Sequence, residues 1–449
     1  MLTLFPTILL VCGKVNFTNL SRYSDLSERT YRRQYGQSFD FMELNRQVIA
    51  AAIVAPFEVI GAMDCSFIPK SGKATYGLDW FYNGSANRTE KGLEISLVAV
   101  VDVKANQGYA WSVQQPPPGS GTAPGKSKGK SKGKGKGKGK GKGRQGQGQA
   151  QQRQTFSRQE IERIGEELQQ LPPKCPSAPN AAHSPCAVPL PQPEVTRIDH
   201  YLSQLQLTHP YFPLGLKYLV TDGFYSKQKF VDGVVALNLH LIGKLRIDAD
   251  LRYVYTGPQK PRGRHRKYDG KVSLKDLTRF TLVETLEPDL KLYTAVVWHL
   301  TCKRKIRLAL LVNTRNPDKT GYVLLFSTDI DLAAKLIWQY YKARFQIEFI
   351  FRDAKQFTGL CDAQTRDSKK LDFHFNASLS TLNLTKYQHP FSQSQSQSDP
   401  VPFSMASYKR SAFNDYLLER FIAELDLDPT LIKSHPNYEK LRSHGIIAA

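Results

Sequence analysis

The chain reads as a mixed α/β protein with a small helical N-terminal region and a β-rich insertion. Three observations carry that reading. Short apolar runs, such as 93–103 and 216–221, alternate with helical segments, as an α/β sheet requires. Between 251 and 326 the pattern becomes a series of alternating runs separated by turn residues, which reads as several strands in succession. The stretch 331–357 contains neither Gly nor Pro and reads as a single long helix.

Region 1–45 reads as short helices, with a possible helix-turn-helix for binding DNA. Residues 1–12 are apolar but lack a basic leading segment, which predicts a buried helix and not a signal. Helices at 17–23 and 24–35 follow, with Ser27 placed to cap the second and Arg29, Arg32 and Arg33 along it. Such a pair fits a helix-turn-helix with a basic second helix, or an Arg-rich surface helix packed on the rest of the protein. Region 46–114 holds the first part of the core. Its apolar stretch 48–63 is interrupted by Pro56 and Glu58, which suits a helix running into a buried strand around Asp64 better than a membrane span. Strands at 93–103 and 108–113 complete this part.

Region 115–195 is a Lys/Gly/Pro-rich insertion. Residues 116–152 offer nothing large enough to bury, so a charge-extended, disordered tether is expected, followed by a short helix at 157–171. Cys175, His183 and Cys186 lie among Pro, Ala and Ser without a fourth zinc ligand, and read as loop. The second part of the core, 196–250, predicts a helix from Ile198, a strand at 216–221, a helix at 226–235 and a strand at 236–242. The β-rich insertion spans 251–326. Region 327–385 is the third part of the core and carries the long helix; region 386–449 is a tail with a Gln/Ser tract and a helix at 403–425.

With 449 residues, 41% of them apolar, the chain has room for two or three domains and a large core. Charge is the unusual quantity. The formal net charge is +22, and ten of the cations sit in 126–144, leaving about +12 elsewhere. Even without that tract the chain favours a polyanionic partner, and a nucleic acid backbone fits best. Cysteines at 12, 65, 175, 186, 302 and 361 make no C-x-x-C pair, which points to a reducing cytoplasm.

At roughly 100° per residue, Tyr341, Arg344, Glu348 and Lys355 project from one stripe of the long helix about 60° wide. Leu336, Tyr340, Ile347, Phe349, Ile350 and Phe351 cover most of the remaining circumference, so the helix is expected to be largely buried. A Tyr, two cations and a carboxylate on one buried stripe are costly unless they bind something, and a phosphate or a metal ion would suit. Taken alone, Arg344 and Glu348 also fit an ordinary salt-bridge ladder.

The spacing Y-x(2)-R-x(3)-E-x(6)-K formed by these four residues resembles the signature of the insertion-sequence-four family of bacterial DDE transposases, and all four positions match. The resemblance extends to two upstream acids, Asp64 within 59–68 and Asp222 within 218–224, and to the stretches 92–102 and 263–271. It implies a ribonuclease-H-like (retroviral-integrase-like) catalytic core interrupted by the β insertion. It implies a catalytic triad of Asp64, Asp222 and Glu348, which would also hold two Mg²⁺ ions, with Mn²⁺ able to substitute. Asp64 would bridge both ions, with Asp222 on one and Glu348 on the other. Oxygen-only ligands suit that metal, and a pair of ions can activate the attacking oxygen and stabilise the leaving one. Tyr341, Arg344 and Lys355 become DNA phosphate ligands beside the cut.

The activity implied is cleavage of insertion-sequence ends and strand transfer. Terminal inverted repeats and target DNA are the partners, with self-association on the ends, in a bacterial cytoplasm near the nucleoid. The rival readings are a catalytically inactive DNA-binding remnant and a nuclease that hydrolyses without joining. Two features depart from the family pattern. The Lys/Gly tract has no counterpart, and Cys65 after the first acid is expected to tolerate catalysis but sensitise it to oxidation.

Overall fold

The computed structural model describes residues 3–53, 58–121, 196–316, 318–393 and 403–446. The Lys/Gly run, the helix expected at 157–171 and the loop containing Cys175, His183 and Cys186 lie outside the described residues.

Apolar residues at the start of the chain form α1 (Leu4–Leu10), every residue of which is buried, in line with the sequence reading. Helices α2 (Phe17–Arg22) and α3 (Glu28–Gln34) follow, and the Ser27 side chain caps α3 by accepting a hydrogen bond from Thr30 N–H. Arg32 is tied to Glu28 and stacks 4.9 Å above the Phe17 ring, so part of the basic helix is engaged within the protein. Helix α4 (Phe41–Ala52) leads toward the sheet.

The strands are β1 (Val59–Pro69), β2 (Asp79–Asn83), β3 (Arg88–Asp102), β4 (Gln107–Gln114), β5 (Tyr218–Thr221), β6 (His240–Leu245), β7 (Leu251–Val254), β8 (Tyr268–Lys271), β9 (Thr281–Glu287), β10 (Leu290–His299), β11 (Arg304–Asn313) and β12 (Gly321–Ser327). They form one twelve-stranded sheet in the order β2-β3-β1-β5-β6-β12-β11-β10-β7-β8, with β4 beside β3 and β9 beside β10. The pairs β1/β5 and β5/β6 are parallel and the other pairs antiparallel. Because β12 pairs with β6, the β-rich stretch continues the same sheet and is not a separate body. One expected boundary moves: Ala236 ends a helix, and the strand begins only at His240, after Asn238 turns the chain at φ +58.

Helices cover both faces. On one side α5 (Arg197–Thr208) and α6 (Gln228–Ala236) pack Tyr201, Leu205, Phe230 and Val234 with Val98 and Val100. On the other, α7 (Ala334–Ala343), α8 (Gln346–Phe357) and α9 (Ser368–Gln393) pack Ile337, Ile347, Ile350 and Leu379 with Leu97, Ala99 and Val101. Alternate residues of β3 thus enter two cores, which is why its sequence is almost continuously apolar. Helices α10 (Met405–Glu424), α11 (Pro429–Lys433) and α12 (Tyr438–Arg442) end the described chain, and α10 matches the helix expected at 403–425. No described helix is long and apolar enough to cross a membrane.

Helix α9 has no counterpart among the elements read from the sequence. Its apolar stripe of Leu371, Phe375, Leu379 and Leu382 faces the sheet core, but Asn376, Ser378, Ser380, Thr381, Asn383, Thr385 and Lys386 are buried in it as well, so the helix is enclosed on its polar faces too. Asn383 accepts from Ala110 N–H at 2.9 Å and donates to Ala110 C=O at 2.6 Å, while Lys386 Nζ donates to Gly108 C=O. Asn45 of α4 donates to Trp111 C=O at 3.1 Å. These side chains satisfy the outward backbone groups of β4, an edge strand that would otherwise hold them unpaired in the interior. Gly108 also lets α8 lie close to the sheet: a Cβ there would stand 3.0 Å from Gln346 Cβ.

Candidate active site

The site is built where β1 and β5 run parallel. Their register places Met63 opposite Thr221, so Asp64 and Asp222 are the next residues on two neighbouring strands, roughly 4.8 Å apart at the backbone. Asp64 lies mid-strand, because β1 continues to Pro69 against β3. Asp222 leaves the sheet at the carboxyl end of β5, and its Oδ1 accepts from Phe224 N–H at 2.9 Å to cap a short turn, Gly223–Tyr225. Glu348 comes from the first turn of α8.

The single long helix expected over 331–357 is corrected. The structure has two helices, α7 and α8, joined at Arg344 and Phe345. The joint is a tightened turn: Phe345 N–H bonds Lys342 C=O, Ile347 N–H bonds Arg344 C=O and Glu348 N–H bonds Phe345 C=O, each at 3.0 Å and three residues apart. Leu336, one of the residues expected to bury the helix, is 36% exposed, as is Phe345 at 49%. Tyr341 and Lys355 therefore sit on different helices, and the angular stripe does not describe their relation.

The tight turn aims Arg344 inward. Its Nη1 donates to Asp64 Oδ2 at 2.8 Å and its Nη2 to Glu348 Oε1 at 3.0 Å, with the side chain 11% exposed. Arg344 Nε is buried without a hydrogen-bond partner among the described residues. The guanidinium carbon lies 5.6 Å from the Tyr341 ring centre. Burial pushes the Asp64 carboxyl up to about 6; Arg344 opposes the shift, and Asp222 and Glu348 add to it. Burial alone would lower Arg344, but Asp64, Tyr341, Glu348 and Asp222 outweigh it and hold the guanidinium above its ordinary value. The structure thus brings Asp64, Asp222, Glu348, Arg344 and Tyr341 into one electrostatic cluster. Lys355 is placed slightly apart: its Nζ donates to Phe67 C=O at 2.9 Å, and burial lowers its pKa.

Among the described residues no group of three or more His, Cys, Asp or Glu side chains closes around a metal position. Arg344 stands between two of the acids and supplies the positive charge there. The donor set nevertheless fits a hard divalent cation. It is all oxygen, it joins a carboxyl raised by burial and by two other acids, and such ions need only one or two carboxylates with water completing the shell.

The oxidation-prone character expected of Cys65 is also corrected. Burial, then Glu94 and Asp64, push its thiol well above the ordinary range, which disfavours the thiolate that oxidation requires. Near it is a network that sequence reasoning did not find: Arg197 pairs with Glu94, and Tyr201 Oη donates to Glu94 Oε1 at 2.7 Å. Arg197 and Tyr201 are four residues apart on α5, but Glu94 lies about a hundred residues earlier on β3, so only the packing of α5 on the sheet could reveal the network.

The chain matches none of the curated proteins compared with it. Residues 191–384 match the family described as transposase DDE domain. That segment contains Asp222, Tyr341, Arg344, Glu348 and Lys355; Asp64 lies before it and is brought in by the sheet. The match supports a DDE transposase, a class of enzyme that acts on DNA and generally uses divalent metal ions.

Proposed function

We propose that this protein is a transposase of a bacterial insertion sequence of the insertion-sequence-four type, which binds the element's terminal inverted repeats, cuts the ends and joins them to target DNA. The observation that carries the reading is the convergence of Asp64, Asp222 and Glu348 from β1, β5 and α8, with Arg344 bonded across two of them. We read the sheet around β1, β5 and β6 as a ribonuclease-H-like core. In this reading Asp64, Asp222 and Glu348 hold Mg²⁺. A divalent ion bound there lowers the pKa of the attacking water or hydroxyl and stabilises the leaving oxygen.

Arg344 has a second task. Its planar fork matches two phosphate oxygens as well as it matches two carboxylates, so the same guanidinium would also bind a DNA phosphate beside the acids. Tyr341 beside it and Lys355 farther along α8 complete the phosphate-binding set. Two such sites act together when protomers associate on paired ends, in the cytoplasm near the nucleoid.

The test is cleavage of a labelled element end in Mg²⁺, with the joined product assayed in parallel. Asp64→Asn, Asp222→Asn and Glu348→Gln should each abolish cutting while end binding stays within a few fold, because metal ligands act mainly on the transition state. Near-normal cutting by any one of them would remove that residue from the triad. Cutting without joined product would make the protein a hydrolytic nuclease.

A further inference from the structure

Many of the described arginines are paired within the protein, among them Arg46, Arg88, Arg197, Arg246, Arg304, Arg344 and Arg442. The loop between β7 and β8 is an exception. Its segment 260–267, KPRGRHRK, carries five Lys or Arg residues and no acid, and all eight residues are exposed. The loop is closed at its neck. Gln259 accepts from Arg266 N–H and donates to Arg266 C=O, both at 2.8 Å, and the Arg266 side chain is held by Asp269 and stacks 4.5 Å above the Tyr255 ring. Lys260, Arg262 and Arg264 beyond that neck make no hydrogen bond or ion pair with any described residue. At the apex Gly263 has φ +99, and a Cβ there would meet nothing within 4 Å.

We propose that this loop inserts Arg262-Gly263-Arg264 into the minor groove of A·T-rich DNA. The inference rests on the transposase reading for why DNA is present, and adds a subsite and its base preference. A clamped neck presents two unpaired guanidinium groups on either side of a residue with no side chain. That shape suits a groove about 6 Å wide, into which the backbone must enter. Narrow A·T tracts concentrate negative potential and draw Arg inward, whereas the guanine 2-amino group of G·C pairs obstructs the floor. A loop that only gripped phosphates would need neither the bare apex nor paired arginines flanking it.

Topology places the loop on the same substrate as the acids. Counting strand senses from β5 through β6, β12, β11 and β10, β7 runs in the direction of β5, so its loop leaves the same margin of the sheet as Asp222. Five strand spacings separate β5 from β7, on the order of 24 Å along the sheet. The contact would lie several base pairs from the cut.

The experiment measures binding of the full chain, without divalent metal, to equal-length duplexes with a central A·T run, G·C run or inosine·C run. All three carry the same phosphate charge, so the cations at 126–144 act alike on each. The wild type should bind the A·T duplex about tenfold tighter than the G·C duplex, and the inosine duplex, which lacks the 2-amino group, should behave like A·T. In the variant carrying Arg262→Lys and Arg264→Lys the preference should fall to about twofold or less while the salt dependence persists. Equal affinities in the wild type, an inosine duplex that binds like G·C, or a preference that survives the double substitution each overturn the proposal. End cleavage in Mg²⁺ by the wild type is scored separately, so a failed transposase reading leaves the base preference standing, and a lost preference leaves cleavage standing.

Discussion

Replacing Asp64 by Asn tests the electrostatics of the site without relying on catalysis. A fifth of the Asp64 side chain is exposed, and burial lifts its carboxyl from the ordinary 3.8 to about 6 against the pull of Arg344, with Asp222 and Glu348 adding to the rise. The gap corresponds to about 3 kcal/mol of stability. Between pH 4 and pH 6 the native protein retains a proton that the unfolded chain has released, so stability falls as pH rises through that window. The favourable contribution is whole below about pH 4 and gone above about pH 6. Asn cannot titrate, and its altered bond to Arg344 adds an offset that does not change with pH.

Urea denaturation of both proteins from pH 4 to pH 8 should therefore show the Asn variant gaining on the wild type by up to about 3 kcal/mol, with the gain complete near pH 7. At pH 8, added Mg²⁺ should return part of that loss to the wild type and markedly less to the variant, since an ion that binds the folded state stabilises it. A difference that stays flat across the whole range would show that Asp64 titrates as an ordinary carboxylate despite its burial. The reading of the acid cluster would then fail.

Three further outcomes follow from the same geometry. Arg344→Lys keeps the charge but cannot span Asp64 and Glu348 with one planar fork; end cleavage should fall at least about tenfold for roughly 1 kcal/mol of stability, and an unchanged rate would end the phosphate role. Asn383→Ala strands the buried Ala110 N–H and C=O and should cost about 2–3 kcal/mol by denaturation, whereas a loss under about 0.5 kcal/mol would show that β4 is satisfied some other way. Deleting 126–144 removes ten cations and should flatten the salt dependence of nonspecific DNA binding, and an identical slope would show that the tract makes no phosphate contacts.

The sequence by itself determined what local chemistry and period control. The buried first helix, the Ser27 cap, the α/β alternation around 59–113 and 216–245 and the run of strands after 251 follow from apolar spacing and turn residues, which act over a few positions. It also marked Asp64, Asp222, Arg344 and Glu348, by family resemblance more than by physics. Tertiary structure decided the rest. The break at Arg344 and Phe345 has no Gly or Pro to announce it, because its reward is a bond from Arg344 to Asp64, 280 residues earlier. Helix α9 went unread although Leu371, Phe375, Leu379 and Leu382 recur at helical spacing; what no helical period encodes is the burial of its Asn383 and Lys386 side chains to satisfy β4. Likewise the raised Asp64 carboxyl and the raised Cys65 thiol depend on desolvation and on charges from other elements, which exist only once β1, β3, β5 and α8 are packed together.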